Sequence, residues 1–166
     1  MGKYQNEEFF KIIKPILENK EFQKMGNIRH HGITRLDHSI RVAYFSYLIT
    51  KKLHLDYKET TKAALLHDFF LEEVENKNAI KKLRCHPKYA VDNAKKHFEI
   101  SDKQEDIIKT HMFPVTFIPP KYAESWIVDL IDDIASIYER SYSVKKEIQA
   151  ATIFIFVLVL NIIKYK

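Results

Sequence analysis

His67 and Asp68 stand together in LLHDFF, residues 65–70, at the end of an apolar segment. A buried carboxylate is strongly destabilising unless it is ion-paired, hydrogen-bonded or bound to a metal. Other polar residues must therefore converge on this pair. On a helix, residues three and four apart share a face, so His38 falls in a stripe with Val42, Phe45 and Ile49. By the same spacing His67 falls with Ala63 and Ala64, His111 with Ile107 and Ile108, and Asp132 with Val128 and Ala135. Asp129, Asp133, Ser136 and Arg140 share a polar face, which predicts that Asp129 and Asp133 meet solvent or hydrogen-bond to a ligand histidine. A single core histidine is most simply explained by a local hydrogen bond. Several inward histidines and two inward aspartates on separate helices are instead satisfied together by a metal centre, which helical bundles build from facing side chains. Imidazole and carboxylate without thiolate suit iron, manganese, zinc, cobalt or nickel, as one or two divalent ions, and do not select among them.

The elements that position these residues are helical. Leu36, Ile40, Ala43 and Tyr47 mark a helix from about Arg35 to Leu53. Asp56 with Glu59 caps a second helix that runs into LLHD, and Ser101 with Gln104 forms a capping box for one that closes near His111. Pro87 suits the first turn of a helix ending near Phe98, with His86 just ahead of it. A further helix is predicted from about Ala123 to Tyr142, after the connecting loop PVTFIPP. The expected fold is all-α, a single-domain helical bundle. It divides into an N-terminal helical segment (1–27), a core (28–142) and an apolar C-terminal helix (143–166). The run AATIFIFVLVLNII, residues 150–163, is shorter than the roughly 18 to 20 residues that span a bilayer. No membrane span is expected; the run should pack on the core, form a homodimer contact or associate with a membrane surface.

Composition narrows the chemistry. At 166 residues and 46% hydrophobic, the chain can bury one core. A net charge of +5 without a dense basic tract favours a small anionic ligand over nucleic acid. Glycine occurs only at positions 2, 26 and 32, which excludes a glycine-rich phosphate loop in the rest of the chain. Cys85 is the only cysteine, so no internal disulfide or cysteine-based zinc ribbon can form, and a reducing cytoplasm is expected. The charged, amphipathic start lacks a secretory apolar region, and Asn6 stands where a myristoylation signal needs Ser or Thr.

In this order the residues resemble the HD-domain superfamily of metal-dependent phosphohydrolases, whose pattern is a His, a His-Asp pair and a late Asp. The matching stretches are DHSIRVA (His38), ALLHDFF (His67, Asp68) and VDLIDDIAS (Asp132). CHPKYAVDNA (His86) and IIKTHMFP (His111) resemble the subset that holds two metals, and the likeness covers roughly residues 28 to 140. HDFFLE and HMFPVTFIPPKYAESW look similar to a little-characterised bacterial branch. The resemblance implies an HD-type bundle in which His38, His67, Asp68 and Asp132 hold one ion. His86 and His111 would hold a second, with Asp68 bridging and His67 and Asp68 at the catalytic centre. It further implies hydrolysis of a small phosphorylated metabolite, such as a nucleotide, by metal-activated hydroxide.

Two departures concern phosphate neutralisation. Many relatives read HDxxK where this chain reads HDFFLEE, and Asp133 stands where lysine is common. Arg35, Arg41, Arg84 and Lys121 are the candidates to replace that charge, with His31, from the turn RHHGITRLDH, as a further substrate contact. The lack of a GYP-type segment argues against a cyclic-di-GMP phosphodiesterase. Two alternatives stay open: the six-ligand arrangement also occurs in HD-type di-iron oxygenases, and such a domain can serve as a non-catalytic nucleotide- or metal-binding module.

Overall fold

The computed structural model describes residues 6–30, 32–71 and 79–164, with only the backbone described at 30, 79–82, 143 and from 146 onward. The architecture is all-α. Helices α1 (Glu7–Leu17) and α2 (Lys20–Gln23) lead through a 3-10 turn (Lys24–Asn27) into a two-residue hairpin, β1 (Arg29–His30) and β2 (Ile33–Thr34). Then follow α3 (Arg35–Lys52), α4 (Tyr57–Leu66), α5 (Ala79–His97), α6 (Asp102–Thr110) and α7 (Ala123–Lys164). The hairpin pairs Arg29 with Thr34 and His30 with Ile33, and Gly32 turns it at φ 89°, a left-handed conformation that suits glycine.

The caps at Asp56 and Ser101 act as their sequences predict, and the structure adds one at Thr34. Thr34 accepts from the Asp37 amide at the start of α3, and Asp56 from the Glu59 amide at the start of α4. Ser101 and Gln104 form both halves of a capping box at α6. Each satisfies an amide that the first helical turn leaves without a backbone partner. One core joins these elements. Phe9, Ile13, Ile16, Phe22 and Met25 from the N-terminal segment are buried in the same cluster as Ala43, Tyr47, Leu65, Phe69, Ile107 and Val128.

Three expectations are corrected. Pro87 lies inside α5, not in its first turn, and His86 projects from mid-helix. The preceding AIKKLRC is built largely of good helix formers, so the helix continues through and forgoes the one hydrogen bond that proline cannot donate. The break expected near Tyr142 is absent, because α7 continues to Lys164. No glycine or proline lies between 143 and 166 to end it. How residues 150–163 pack lies outside the described side chains. Finally, the stripe expected to bury His38 with Phe45 and Ile49 holds only as far as Val42; Phe45 and Ile49 are partly exposed. Phe45 lines an open groove between α3 and α7.

The N-terminal helix is fastened by one carboxylate. Tyr47 and Tyr57 each donate a hydroxyl hydrogen bond of 2.8 Å to Glu8, and Lys51 donates to it as well. These donors, Lys51 foremost, lower the Glu8 carboxyl to about 2. Because the folded value lies below the unfolded one, the stabilisation is complete above about pH 4.5 and disappears as pH falls through about 2. Replacing Glu8 by Gln should flatten the acid decline of the melting temperature across this interval in circular dichroism; an unchanged slope would remove Glu8 from this role.

Candidate metal centre

α3, α4, α5, α6 and α7 each contribute to one buried cluster. His38 projects from the second turn of α3, His67 is the C-cap of α4 with Asp68 next in the chain, and His111 is the C-cap of α6. His86 comes from α5 and Asp132 from α7. All six are buried. Three overlapping groups of potential ligand atoms lie within 4.8 Å of one another: His38, His67 and Asp68; His67, His111 and Asp132; Asp68, His86 and His111. The six residues singled out by face and order are thus brought together.

The donor atoms are presented in a consistent way. His67 and His111 each donate an Nδ1 hydrogen bond of 2.7 Å, to the carbonyls of Ala64 and Ile108. His38 Nδ1 lies 2.9 Å from Glu139 Oε2. With Nδ1 engaged in this way, Nε2 is the nitrogen left to face the cluster. His67 Nε2 is buried with no hydrogen-bond partner and lies 3.5 Å from Asp132 Oδ1 and 3.9 Å from Asp68 Oδ2. Nε2 of His86 and Nε2 of His111 are 2.9 Å apart, and they lie 3.4 and 3.8 Å from Asp68 Oδ1. His38 Nε2 meets Asp132 Oδ1 at 2.8 Å. An orphaned imidazole nitrogen among carboxylate oxygens and other ring nitrogens is the chemistry of a divalent-metal site. The residues fit such an ion.

Charge is distributed unevenly. Burial opposes a proton on His38, but hydrogen bonds to Asp132 and Glu139 outweigh it and hold the imidazole at about 10. Burial also opposes the charged form of Asp132, yet His67 and His38 keep its carboxyl well below the usual range. For His111, burial and the neighbouring His67 and His86 act in the same direction and depress it to about 3.

Glu139 is the residue that spacing alone misses. It is buried, accepts from His38, and pairs with Arg41. Standing two turns after Asp132, it shares the inward face of α7. That i+7 relation, with Arg41 one turn after His38, is the available signal. Asp129 is a correction: it is buried, 7% exposed, not on a solvent face. The backbone of Phe113, in the α6–α7 connection, hydrogen-bonds to its carboxylate. Burial and the adjacent Asp133 raise the Asp129 carboxyl to about 7. Asp133 is exposed as expected.

The candidate substrate contacts separate. The Arg35 guanidinium is buried 3.7 Å over the Phe70 ring, donates to the Phe70 carbonyl at 2.5 Å, and has Nε without a partner. It lies close enough to Asp68 for their charges to interact. Phe70 also packs against His86, at 5.2 Å between ring centroids. Arg41 is engaged by Glu139. Arg84 is exposed, donating to the Val115 carbonyl and lying over Phe117. Lys121 is exposed, and its backbone amide is held by Asp106 Oδ2. His31 lies outside the described residues.

In chelator-treated protein, histidine NMR should therefore find His38 protonated from roughly pH 6 to 9 and His111 neutral over the same interval. Below pH 6.5 the stabilising effect of charged His38 is complete, and it disappears as pH rises through about 10. Two histidines titrating together near 6.5 would contradict this geometry.

The family model for the HD domain matches residues 35–137, a span that contains all six clustered residues and ends two positions before Glu139. Comparison with curated proteins and with solved structures returned no match. The order His38, His67-Asp68, Asp132, their convergence in a helical core and this match together establish that the chain belongs to the HD domain family.

Proposed function

We propose that this chain is a metal-dependent phosphohydrolase acting on a small phosphorylated metabolite, with a nucleotide as the leading substrate class. Membership in the HD family supports the general class, which is that of metal-dependent phosphohydrolases. The observation that carries the reading further is the division of Asp68. Its Oδ1 faces His86 and His111, whereas its Oδ2 faces His67. A carboxylate with each oxygen directed at a different set of imidazoles suits a bridge between two cation positions. His38, His67 and Asp132 would complete one, His86 and His111 the other. Divalent ions held there supply positive charge that acidifies a bound water and neutralises phosphoryl oxygens.

The protein's own groups have distinct tasks in this reading. Glu139 accepts the Nδ1 proton of His38 and fixes the ring with Nε2 toward the centre, and Arg41 holds Glu139. Ala64 and Ile108 orient His67 and His111 through their carbonyls. Arg35 replaces the lysine that many relatives place after the His-Asp pair. The Phe70 ring supports its guanidinium beside Asp68, and its unpaired Nε suits a phosphate oxygen. The second phenylalanine of HDFF thus restores a cation by holding one from α3. Phe69 is fully buried in the core.

Protein prepared without added metal would be analysed for its elements, reconstituted with single divalent ions, and screened for phosphate release from nucleotides and simple phosphoesters. Turnover with manganese, zinc, cobalt or nickel, abolished by Asp68→Ala, is expected. Oxygen consumption by a two-iron form with no phosphate release would overturn the hydrolase reading in favour of an oxygenase. Glu139→Ala should weaken metal binding by about 10- to 100-fold in chelator competition. Arg35→Ala should leave metal content unchanged and lower kcat/KM by about 100-fold. Equal metal loss in the two variants would contradict the division of roles.

A further inference from the structure

α7 presents two faces. Val128, Asp132, Ala135 and Glu139 are buried and serve the core and the centre. Leu130, Ile134, Ile137 and Val144 are 53 to 69% exposed. These exposed residues, with exposed Ser141, are spaced four, three, four and three apart, the alternation of a coiled-coil seam. The sequence continues this register without interruption to Ile162. One set of alternate positions reads Ile134, Ser141, Ile148, Ile155 and Ile162; the other reads Leu130, Ile137, Val144, Ala151 and Leu158. At 1.5 Å per residue the seam is about 50 Å long, and apart from Ser141 every residue in it is apolar.

We propose that α7 forms an antiparallel homodimer, its outward seam paired with the same seam of a second copy and the apolar end of each helix lying along the other copy's α3–α7 groove. Orientation follows from charge. In a parallel pair, the positions flanking the seam would bring Arg140 of each chain beside Lys145 of the other, a like-charge contact. Antiparallel pairing about the Ser141–Val144 layer instead sets Arg140 beside Glu147 of the second copy, twice, and Lys145 beside Tyr138. The same register places Leu130 opposite Ile155, Ile134 opposite Ala151, and Ile137 opposite Ile148.

Coverage leads to the same arrangement. Residues 150–163 carry no charged side chain, so a helix there is apolar on every side and needs more than one stripe covered. In a parallel pair these ends would meet only each other. In the antiparallel pair each end runs along the stretch of α7 that, with α3, walls a groove of about 500 Å³. Tyr44, Phe45, Ile131, Ile134 and Tyr138 line it. That groove is predominantly apolar, and Phe45 and Tyr138 in it are 44 and 56% exposed.

The test uses the full chain in sedimentation velocity and light scattering across a concentration series. A dimer in the micromolar range is expected. Ile137→Glu should give a monomer with unchanged helical content. Arg140→Glu should raise the dimer dissociation constant at least tenfold, and adding Glu147→Arg to it should restore pairing. In a Cys85→Ser background, a mixture of Ile134→Cys and Ala151→Cys chains should cross-link. Ile134→Cys cross-linking only to itself would overturn the orientation. A wild type that stays monomeric at about 100 μM, or an Ile137→Glu chain that remains dimeric, would overturn the interface. Flotation of monomeric chain with phosphatidylcholine vesicles would overturn it by naming a membrane surface as the occupant.

Discussion

Two carboxylates and four imidazoles share one buried volume, and the fold is arranged around that constraint. Asp68 and Asp132 cannot remain ionised in an apolar core by themselves. The histidines around them, on four other structural positions, supply positive charge or metal-binding lone pairs. That convergence needs α3, α4, α5, α6 and α7 to meet at one end of their helices or mid-span, with His67 and His111 placed by the helix terminations themselves. A helix end is a useful place for such a residue. The final carbonyls of the helix are near, and in both cases the ring nitrogen away from the centre donates to the carbonyl three residues earlier.

Local features were legible because their causes are local. A Ser, Thr or Asp that can accept from an amide two or three residues ahead marks a helix start whatever the tertiary structure, and Asp56 and Ser101 do so here. Inward histidines were legible where the flanking residues on the same face were small or aliphatic, as with Ala63 and Ala64 around His67. Features that depend on distant coverage were not. Asp129 has polar neighbours along α7, yet it is buried and hydrogen-bonded by the Phe113 backbone from the loop before the helix. Phe45 and Ile49 have the spacing of core residues, yet they remain partly exposed. Glu139 escaped because its significance lies in His38, 101 residues earlier in the chain. Arg35 could be named as a cation but not placed, since its position depends on the Phe70 ring, 35 residues later in the chain.

α7 links these levels. A single uninterrupted helix carries Asp132 and Glu139 on one face and an apolar seam on another. Any displacement of the helix along its axis would move a carboxylate from the centre and the one that positions His38 together. Asp106 restrains the approach to α7. It accepts from the Lys121 amide at 3.0 Å and from the Ser125 hydroxyl at 2.7 Å, thereby tying the first turn of α7 to α6. The connection between α6 and α7 is consequently tied back to α6, between His111 on one side and Asp132 on the other.

The central claim is that Asp68 bridges two cation positions built from this set of residues. X-ray absorption at the metal edge of the reconstituted protein tests it directly. A nitrogen- and oxygen-only first shell with imidazole scattering and a metal–metal vector of about 3.5 to 4 Å is the predicted result. A mononuclear spectrum at full metal loading, with one ion per chain and no metal–metal scattering, would contradict the bridge and with it the two-ion centre.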